Sequence, residues 1–132
     1  MTNLPRLGIK RAIEEIIVKD LKLKYVKNAF TTGVAKEVQV MIPGMTEDYT
    51  RINLQSKLSA VLSITIDIFS EKSETGVHQA VFDLISIKAN DPKLKEFKIN
   101  KTYPSSSFTD YDSEASNGHV SAQVILTFEY IM

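Results

Sequence analysis

Two long runs of alternating apolar residues constrain this fold more than any other feature of the sequence. The first run covers residues 58–68 and the second covers residues 120–130. Alternation over this length places the apolar side chains of each run on one face of a β-strand. We therefore predict two long strands, each with one face in the core. The residues concerned are Leu58, Ala60, Leu62, Ile64, Ile66 and Ile68, then Val120, Ala122, Val124, Leu126, Phe128 and Tyr130.

Weaker patterns predict the elements around these strands. Apolar residues at three- and four-residue spacings, with Pro5 in the first turn, predict a helix over about 5–22. The same spacing predicts a second helix over about 74–88. Alternation predicts a strand over 38–42 and another around 98–103, while residues 21–25 alternate only briefly and are ambiguous.

Turn-forming residues predict the connections between these elements. Thr31, Thr32 and Gly33 are typical of a turn, and Pro43-Gly44 predicts the end of the strand over 38–42. A loop or an irregular hairpin arm is then expected after Pro43-Gly44, within 43–57. Residues 104–119, rich in serine, aspartate and asparagine, are expected to form a long excursion or the splayed tip of a hairpin.

The predicted order is one helix, two or three strands, a second helix and two further strands. Helices that flank runs of consecutive strands favour an α+β fold over a parallel βαβ architecture. We predict a single domain over residues 1–132, with a mostly antiparallel β-sheet and two α-helices packed on one face. No internal repeat or low-complexity linker divides the chain.

The charges are balanced overall but unevenly distributed. Sixteen Lys and Arg equal sixteen Asp and Glu in number, which disfavours a dedicated nucleic-acid binder. Residues 1–36 carry eight basic and three acidic residues, a net charge of +5, so the other 96 residues carry −5. This asymmetry favours either head-to-tail attraction between copies or a solvated basic helix on an acidic body. No stretch is apolar enough for a signal-peptide core or a membrane span, so we expect a chain that stays in water.

The sequence contains no motif typical of catalysis or metal binding. It has no cysteine, which excludes thiolate zinc sites, disulfides and cysteine nucleophiles. His78 and His119 have no partner at chelating spacing. Asp110, Asp112 and Glu114 alternate as in a calcium loop, but the glycine and glutamate that such a loop needs are missing. We predict a protein that is not an enzyme, with no catalytic residue, no metal and no cofactor.

Three stretches resemble the tail terminator proteins of long-tailed bacteriophages, the family whose type is the lambda minor tail protein U. Residues 38–49 resemble the family's first strand and the segment after it. Residues 58–69, followed by an acidic turn and a helix, resemble its long central strand, and residues 121–132 resemble its closing strand. The order of elements corresponds over nearly the whole chain, although the basic first helix and the longer segment before Val38 depart from the family.

This resemblance implies a structural role. Members assemble as a homo-hexameric ring on the tip of the tail tube, stop its polymerisation and present a surface for joining the head. The implied partners are further copies of the chain, the major tail tube protein and the head–tail connector proteins. Phage DNA is implied only as cargo that passes through the ring, and no membrane is involved. The implied location is the head-proximal end of the tail in the virion, after assembly in the host cytoplasm.

Four residues are candidates for the subunit or tail-tube interface. Met45, Tyr49, Phe108 and Tyr111 lie in these two segments, 43–57 and 104–119. Exposed aromatic residues and methionine are common contact residues in protein interfaces. The alternative is that these side chains fold back onto their own domain.

Three other functions compete with a tail terminator. A head-completion or neck protein sits one layer away in the virion and shares a small α+β ring architecture. A small enzyme or ligand-binding α+β domain would need a deep polar pocket between sheet and helices. Nucleic-acid binding through the basic helix is disfavoured by Glu14 and Glu15, which interrupt its basic face.

Overall fold

The computed structural model describes residues 4–27, 30, 37–52, 57–71, 73–112 and 119–132. The predicted turn at 31–33 therefore lies outside the described residues. The elements are α1 (Pro5–Glu15), a π-helical turn (Ile16–Asp20), β1 (Lys24–Tyr25), β2 (Gln39–Arg51), β3 (Leu58–Ser70), α2 (Glu74–Ile85), a 3₁₀ turn (Lys95–Phe97), β4 (Lys101–Asp112) and β5 (His119–Ile131).

The strands form one five-stranded sheet in the order β1-β2-β3-β5-β4. β1 runs parallel to β2, and every other neighbouring pair is antiparallel. Both α-helices pack against the same face of this sheet, in one hydrophobic core. The predicted α+β fold, with a mostly antiparallel sheet and two helices on one face, is confirmed.

The two faces of the sheet differ sharply in burial. On β3, Ala60, Leu62, Ile64, Ile66 and Ile68 are fully buried beneath the helices, as the alternation predicts. The odd-numbered residues of β3 are only half-buried on the other face, which neither α-helix covers. We call this second face the open face. The helices close the core from their side with Ile9, Ile13, Ile16, Ile17, Val77, Ala80 and Leu84.

The predicted end of a strand at Pro43-Gly44 is wrong. β2 continues to Arg51, because a bulge between Met41 and Gly44 accommodates a proline that has no amide to donate. The bulge also reverses the alternation. Before it the even-numbered Val40 pairs with Ile68 on the core face, whereas after it the odd-numbered Met45 pairs with Ile64 on that face. Of the two predictions for the residues after Pro43-Gly44, a loop or an irregular hairpin arm, the structure shows the second: residues 43–51 are the bulged arm of the β2–β3 hairpin.

The prediction of a long excursion or a splayed hairpin tip over 104–119 is also wrong for residues 104–112, because these residues pair with β5. β4 extends to Asp112 across a second bulge, between Pro104 and Ser106. Both errors have the same cause, since proline and small polar residues are typical of loops and also of bulged outer strands. Residues 113–118 lie outside the described residues.

The helices lie where the periodicity predicts, with changes at their ends. The first begins at Pro5 but widens after Glu15 into the π-helical turn, in which Leu21 donates its amide to Ile16 at 2.9 Å. The wider turn brings both Ile16 and Ile17 into the core. α2 ends at Ile85 rather than near residue 88, and at its start the Ser73 hydroxyl accepts the Gly76 amide at 3.1 Å.

Candidate functional site

The four predicted interface residues do not form one continuous surface. Met45 and Tyr49 lie on β2 beyond the bulge, and both are on the core face. Phe108 and Tyr111 lie on β4, on opposite faces of the sheet, because Phe108 pairs with Gln123 and Tyr111 pairs with Val120. Any interface that uses all four residues therefore has to involve more than one surface of the domain.

Met45 and Tyr111 both make clear contacts within their own domain. Met45 is half-buried and packs against the hydrophobic core. Tyr111 is exposed, yet its hydroxyl donates to Glu74 Oε1 at 3.0 Å and lies 2.9 Å from His78 Nε2. This polar contact ties the far end of β4 to the first turn of α2. The carboxylate raises the pKa of Tyr111, chiefly through the hydrogen bond.

Phe108 is the candidate whose surroundings most resemble a binding site. Its side chain is 49% exposed on the open face. It borders a cleft of about 360 Å³ that runs across β3, β5 and β4. We call this the open-face cleft, and its lining residues are Phe30, Asp67, Ile68, Phe69, Phe108, Asp110, Ser121, Ala122 and Gln123.

Aromatic rings form one wall of the open-face cleft. Phe30 stacks on Phe69 with ring centroids 5.1 Å apart and an angle of 17° between the rings. His119 meets the same Phe69 ring edge-on at 5.2 Å. Aromatic pairs in these geometries are stabilising beyond the area that they bury. The wall is therefore a fixed apolar surface beside the exposed Phe108.

Two carboxylates give the open-face cleft its charge. Gln123 Nε2 donates to Asp67 Oδ1 at 2.9 Å, which fixes that carboxylate on the sheet. Asp110 is exposed on β4 and makes no ion pair with any described residue. Among the described residues, no lysine or arginine lines the cleft. An apolar wall beside two carboxylates suits a lysine or arginine side chain, whose methylene stem packs while its head pairs.

The sequence interpretation missed Phe30, Phe69 and Asp67 as parts of a site. A signal for Phe69 was present, since it follows Ser63, Thr65 and Asp67 on the polar side of the alternating run over β3. A large aromatic residue at the end of a polar strand face indicates a local apolar patch. Phe30 had no such signal, because its contact with Phe69 depends on tertiary structure.

A second polar cluster lies at the opposite end of the sheet and includes Tyr49. The Glu47 side chain is 0% exposed and accepts hydrogen bonds from the hydroxyls of Tyr49 and Tyr130. Arg6 Nη1 of α1 lies 3.6 Å from Glu47 Oε1. The cluster therefore joins α1, β2 and β5 through one buried carboxylate, which indicates a structural role for Tyr49 within its own domain.

The described residues include no group of three or more His, Asp or Glu that could hold a metal ion. Among the same residues, no helix is long and apolar enough to cross a membrane. No family model and no curated protein matches this chain. The surfaces described above and the resemblance seen in the sequence are therefore the available indications of function.

The tyrosine–carboxylate pairs predict a measurable titration. Tyr103 donates to Glu129 Oε2 at 2.7 Å on the open face, and this bond raises the pKa of Tyr103. We expect Glu129→Gln to move the Tyr103 pKa back towards its ordinary value of about 10, because the amide carries no charge. NMR of ¹³C-labelled tyrosine resolves the individual phenols, and Glu96→Gln, an exposed change on the 3₁₀ turn, is the control.

The same pair predicts how stability depends on pH. A phenol whose pKa is raised by folding stabilises the protein fully below its unfolded pKa, and this contribution is lost as pH rises through the folded pKa. Any stability advantage of the wild type over Glu129→Gln should therefore be present at neutral pH and shrink above about pH 10. An advantage that grows with alkaline pH would contradict the assignment.

Proposed function

We propose that this chain is a phage or phage-derived tail terminator. In this role, six copies form a ring that caps the tail tube, stops its polymerisation and provides the surface for head joining. The ring lies at the head-proximal end of the tail, with DNA passing through it as cargo. The chain acts through protein contacts and requires neither a catalytic residue nor a cofactor.

The main support for this proposal is that the β2–β3 hairpin and the β4–β5 hairpin end at opposite ends of the sheet. β2 and β3 meet at the Arg51–Leu58 pair, while β4 and β5 meet at the Asp112–His119 pair. Because Ser59 pairs with Ile131 and Ser70 with Val120, these ends lie at opposite ends of the sheet. A strand of 13 residues spans roughly 40 Å. The domain therefore has two widely separated hairpin ends, and this separation supports a role between a tube and a head.

The sheet supports this role mechanically. β3 and β5 pair over twelve consecutive positions without a register shift, and their core residues are buried along the whole length. Such a strand pair holds both hairpin ends in a fixed relation. A small-molecule function would instead favour an enclosed pocket between sheet and helices, where this protein has a packed core.

Electron microscopy tests the proposed function directly. The purified protein is imaged over a concentration series, alone, with a tail-tube protein and with a portal-side connector protein. We expect six-fold rings, or tubes that are capped and uniform in length. Binding to portal-side connector protein without binding to tubes would favour a neck protein instead. Persistent monomers that bind neither partner would contradict both functions.

Phe108 offers a specific test of assembly. We expect Phe108→Ala to lower the concentration-dependent formation of rings by about tenfold or more, the effect typical of removing an aromatic interface anchor. The matched control is Phe82→Ala, since Phe82 is 61% exposed on α2, away from the open face. Equal assembly and equal tube length in both variants would show that Phe108 is not an interface residue.

Tyr111 requires a different substitution, because alanine would also break its contacts with Glu74 and His78. Tyr111→Phe removes only the hydroxyl and keeps the ring. If Tyr111 anchors a neighbouring protein through its ring, this variant should assemble like the wild type, whereas Tyr111→Ala should not. Circular dichroism of both variants separates a loss of assembly from a loss of folding.

A further inference from the structure

The outer edge of β4 differs between its two halves. β4 pairs only with β5 among the described residues, so its other edge has no strand beside it. The first half contains Lys101, Pro104 and a bulge, all of which hinder the addition of another strand. Residues 106–112 contain no lysine, arginine or proline. Residues 106–112, which border the open-face cleft, can therefore still pair with a further strand.

The opposite edge of the sheet carries unpaired positive charge. β1 forms that edge, and Lys22, Lys24 and Lys27 in and around it are exposed. None of these three lysines forms an ion pair with a described residue, whereas Lys10 and Lys19 on the first helical segment each pair with a glutamate. We call residues 22–27 the basic edge. Its free ammonium groups complement the carboxylates of the open-face cleft.

The sheet register aligns these two edges. Lys24 pairs with Gln39, Gln39 with Phe69, Phe69 with Ser121, and Ser121 with Asp110. Residues paired across neighbouring strands lie on the same face, so Lys24 and Asp110 both belong to the open face. They lie at the two ends of one cross-strand row, separated by four strand spacings or roughly 19 Å.

The strand directions also fit an edge-to-edge contact. β1, β2 and β5 run in one direction along the sheet. β3 and β4 run in the opposite direction. β4 and β1 are thus antiparallel within one copy, so a translated neighbour would bring β1 antiparallel to β4. Lys24 donates its amide to the carbonyl of Val38, just before β2, and Val26 donates to Val40 in β2, which leaves the Tyr25 amide facing the outer edge.

We propose that a second copy of this chain docks its basic edge against residues 106–112 of β4, with Lys24 beside Asp110 and the lysine stems against the open-face cleft. This contact rests on the proposed ring and specifies how neighbouring subunits meet. It is heterologous, because each copy uses a different edge at its two contacts. Heterologous contacts of this kind close into rings when the rotation between subunits permits.

Disulfide cross-linking tests this contact cleanly because the chain has no cysteine. Under conditions in which rings are seen, the double variant Lys24→Cys/Asp110→Cys should give, on mild oxidation, a ladder of linked species up to the hexamer on a non-reducing gel. Each single variant should remain monomeric on that gel. The matched control is Lys24→Cys/Asp48→Cys, which moves the second thiol to an exposed position on β2 and should give no ladder.

A charge exchange provides an independent measurement. Asp110→Lys and Lys24→Asp should each weaken ring formation by about tenfold or more, and the double exchange should recover most of the loss. Asp48→Lys, an equal charge change at an exposed site, should have a much smaller effect.

The outcomes separate this contact from the proposed function. Two results would overturn the contact and leave the proposed ring intact. One is six-fold rings in which the cysteines at positions 24 and 110 give no ladder of linked species. The other is an Asp110→Lys/Lys24→Asp double variant that assembles no better than either single variant. If the wild type forms no ring at any concentration, with or without tube protein, both the contact and the proposed function fail.

Discussion

Replacing Phe128 by alanine should lower the free energy of unfolding by about 3–5 kcal/mol, the usual cost of removing a buried aromatic side chain. Phe128 is 0% exposed and lies on β5 between Leu62 of β3 and Thr102 of β4. Its ring therefore fills the core where the central strands meet. The cavity that alanine leaves cannot be closed by a sheet whose register is fixed on both sides.

Urea denaturation followed by circular dichroism measures this loss as a lower midpoint with an unchanged slope. Ile131→Ala on the same strand is the control, because Ile131 is 55% exposed and should cost less than about 1 kcal/mol. A similar cost for both substitutions would show that burial on β5 does not follow the alternation seen in this structure.

Removing the Glu47 carboxylate should produce the second large effect. We expect Glu47→Ala to lower the free energy of unfolding by about 1–3 kcal/mol, because Tyr130 is 1% exposed and would keep a buried hydroxyl without its acceptor. Arg6 would also lose the carboxylate that it faces across α1 and β2. The packing of Glu47 against its neighbours adds to this cost.

A double-mutant cycle isolates the contribution of the hydrogen bond. Glu47→Gln, Tyr130→Phe and the double variant are compared by urea denaturation at neutral pH, and a coupling of about 0.5–3 kcal/mol is expected for groups in direct contact. Tyr49→Phe serves as the comparison, because the Tyr49 hydroxyl bonds the same carboxylate from a side chain that is 45% exposed. Additive effects of Glu47→Gln and Tyr130→Phe would contradict a shared buried bond.

The elements that could be predicted from sequence are those whose signal is local. β3 and β5 follow from alternation alone, because each buries one face and exposes the other over its whole length. Both α-helices follow from their apolar spacing for the same reason. The bulges of β2 and β4 could not be predicted, since Pro43 and Pro104 are equally typical of a strand end, and only the pairing with β3 or β5 distinguishes the two cases.

The candidate site was less predictable than the fold. Phe108 was singled out as an exposed aromatic residue, and it is exposed; its role in an interface stays a prediction. Glu47 is separated from Arg6 and Tyr130 by long stretches of chain, so no spacing rule indicates that they meet. The alignment of Lys24 with Asp110 depends on four strand pairings at once. The sequence showed that basic residues are concentrated in residues 1–36. It did not show that Lys24 and Asp110 lie at opposite edges of one sheet.

The distribution of the bulges has a consequence for how this protein tolerates changes in length. β2 and β4 each contain one register shift, whereas the central pair β3 and β5 contains none. Gaining or losing one residue at either bulge alters a single outer strand beyond that point. The same change within β3 or β5 would exchange buried and exposed side chains along the rest of the strand. Natural variation in chain length should therefore accumulate in the outer strands, close to the surfaces that we propose meet other proteins, while the central pair keeps its residue count.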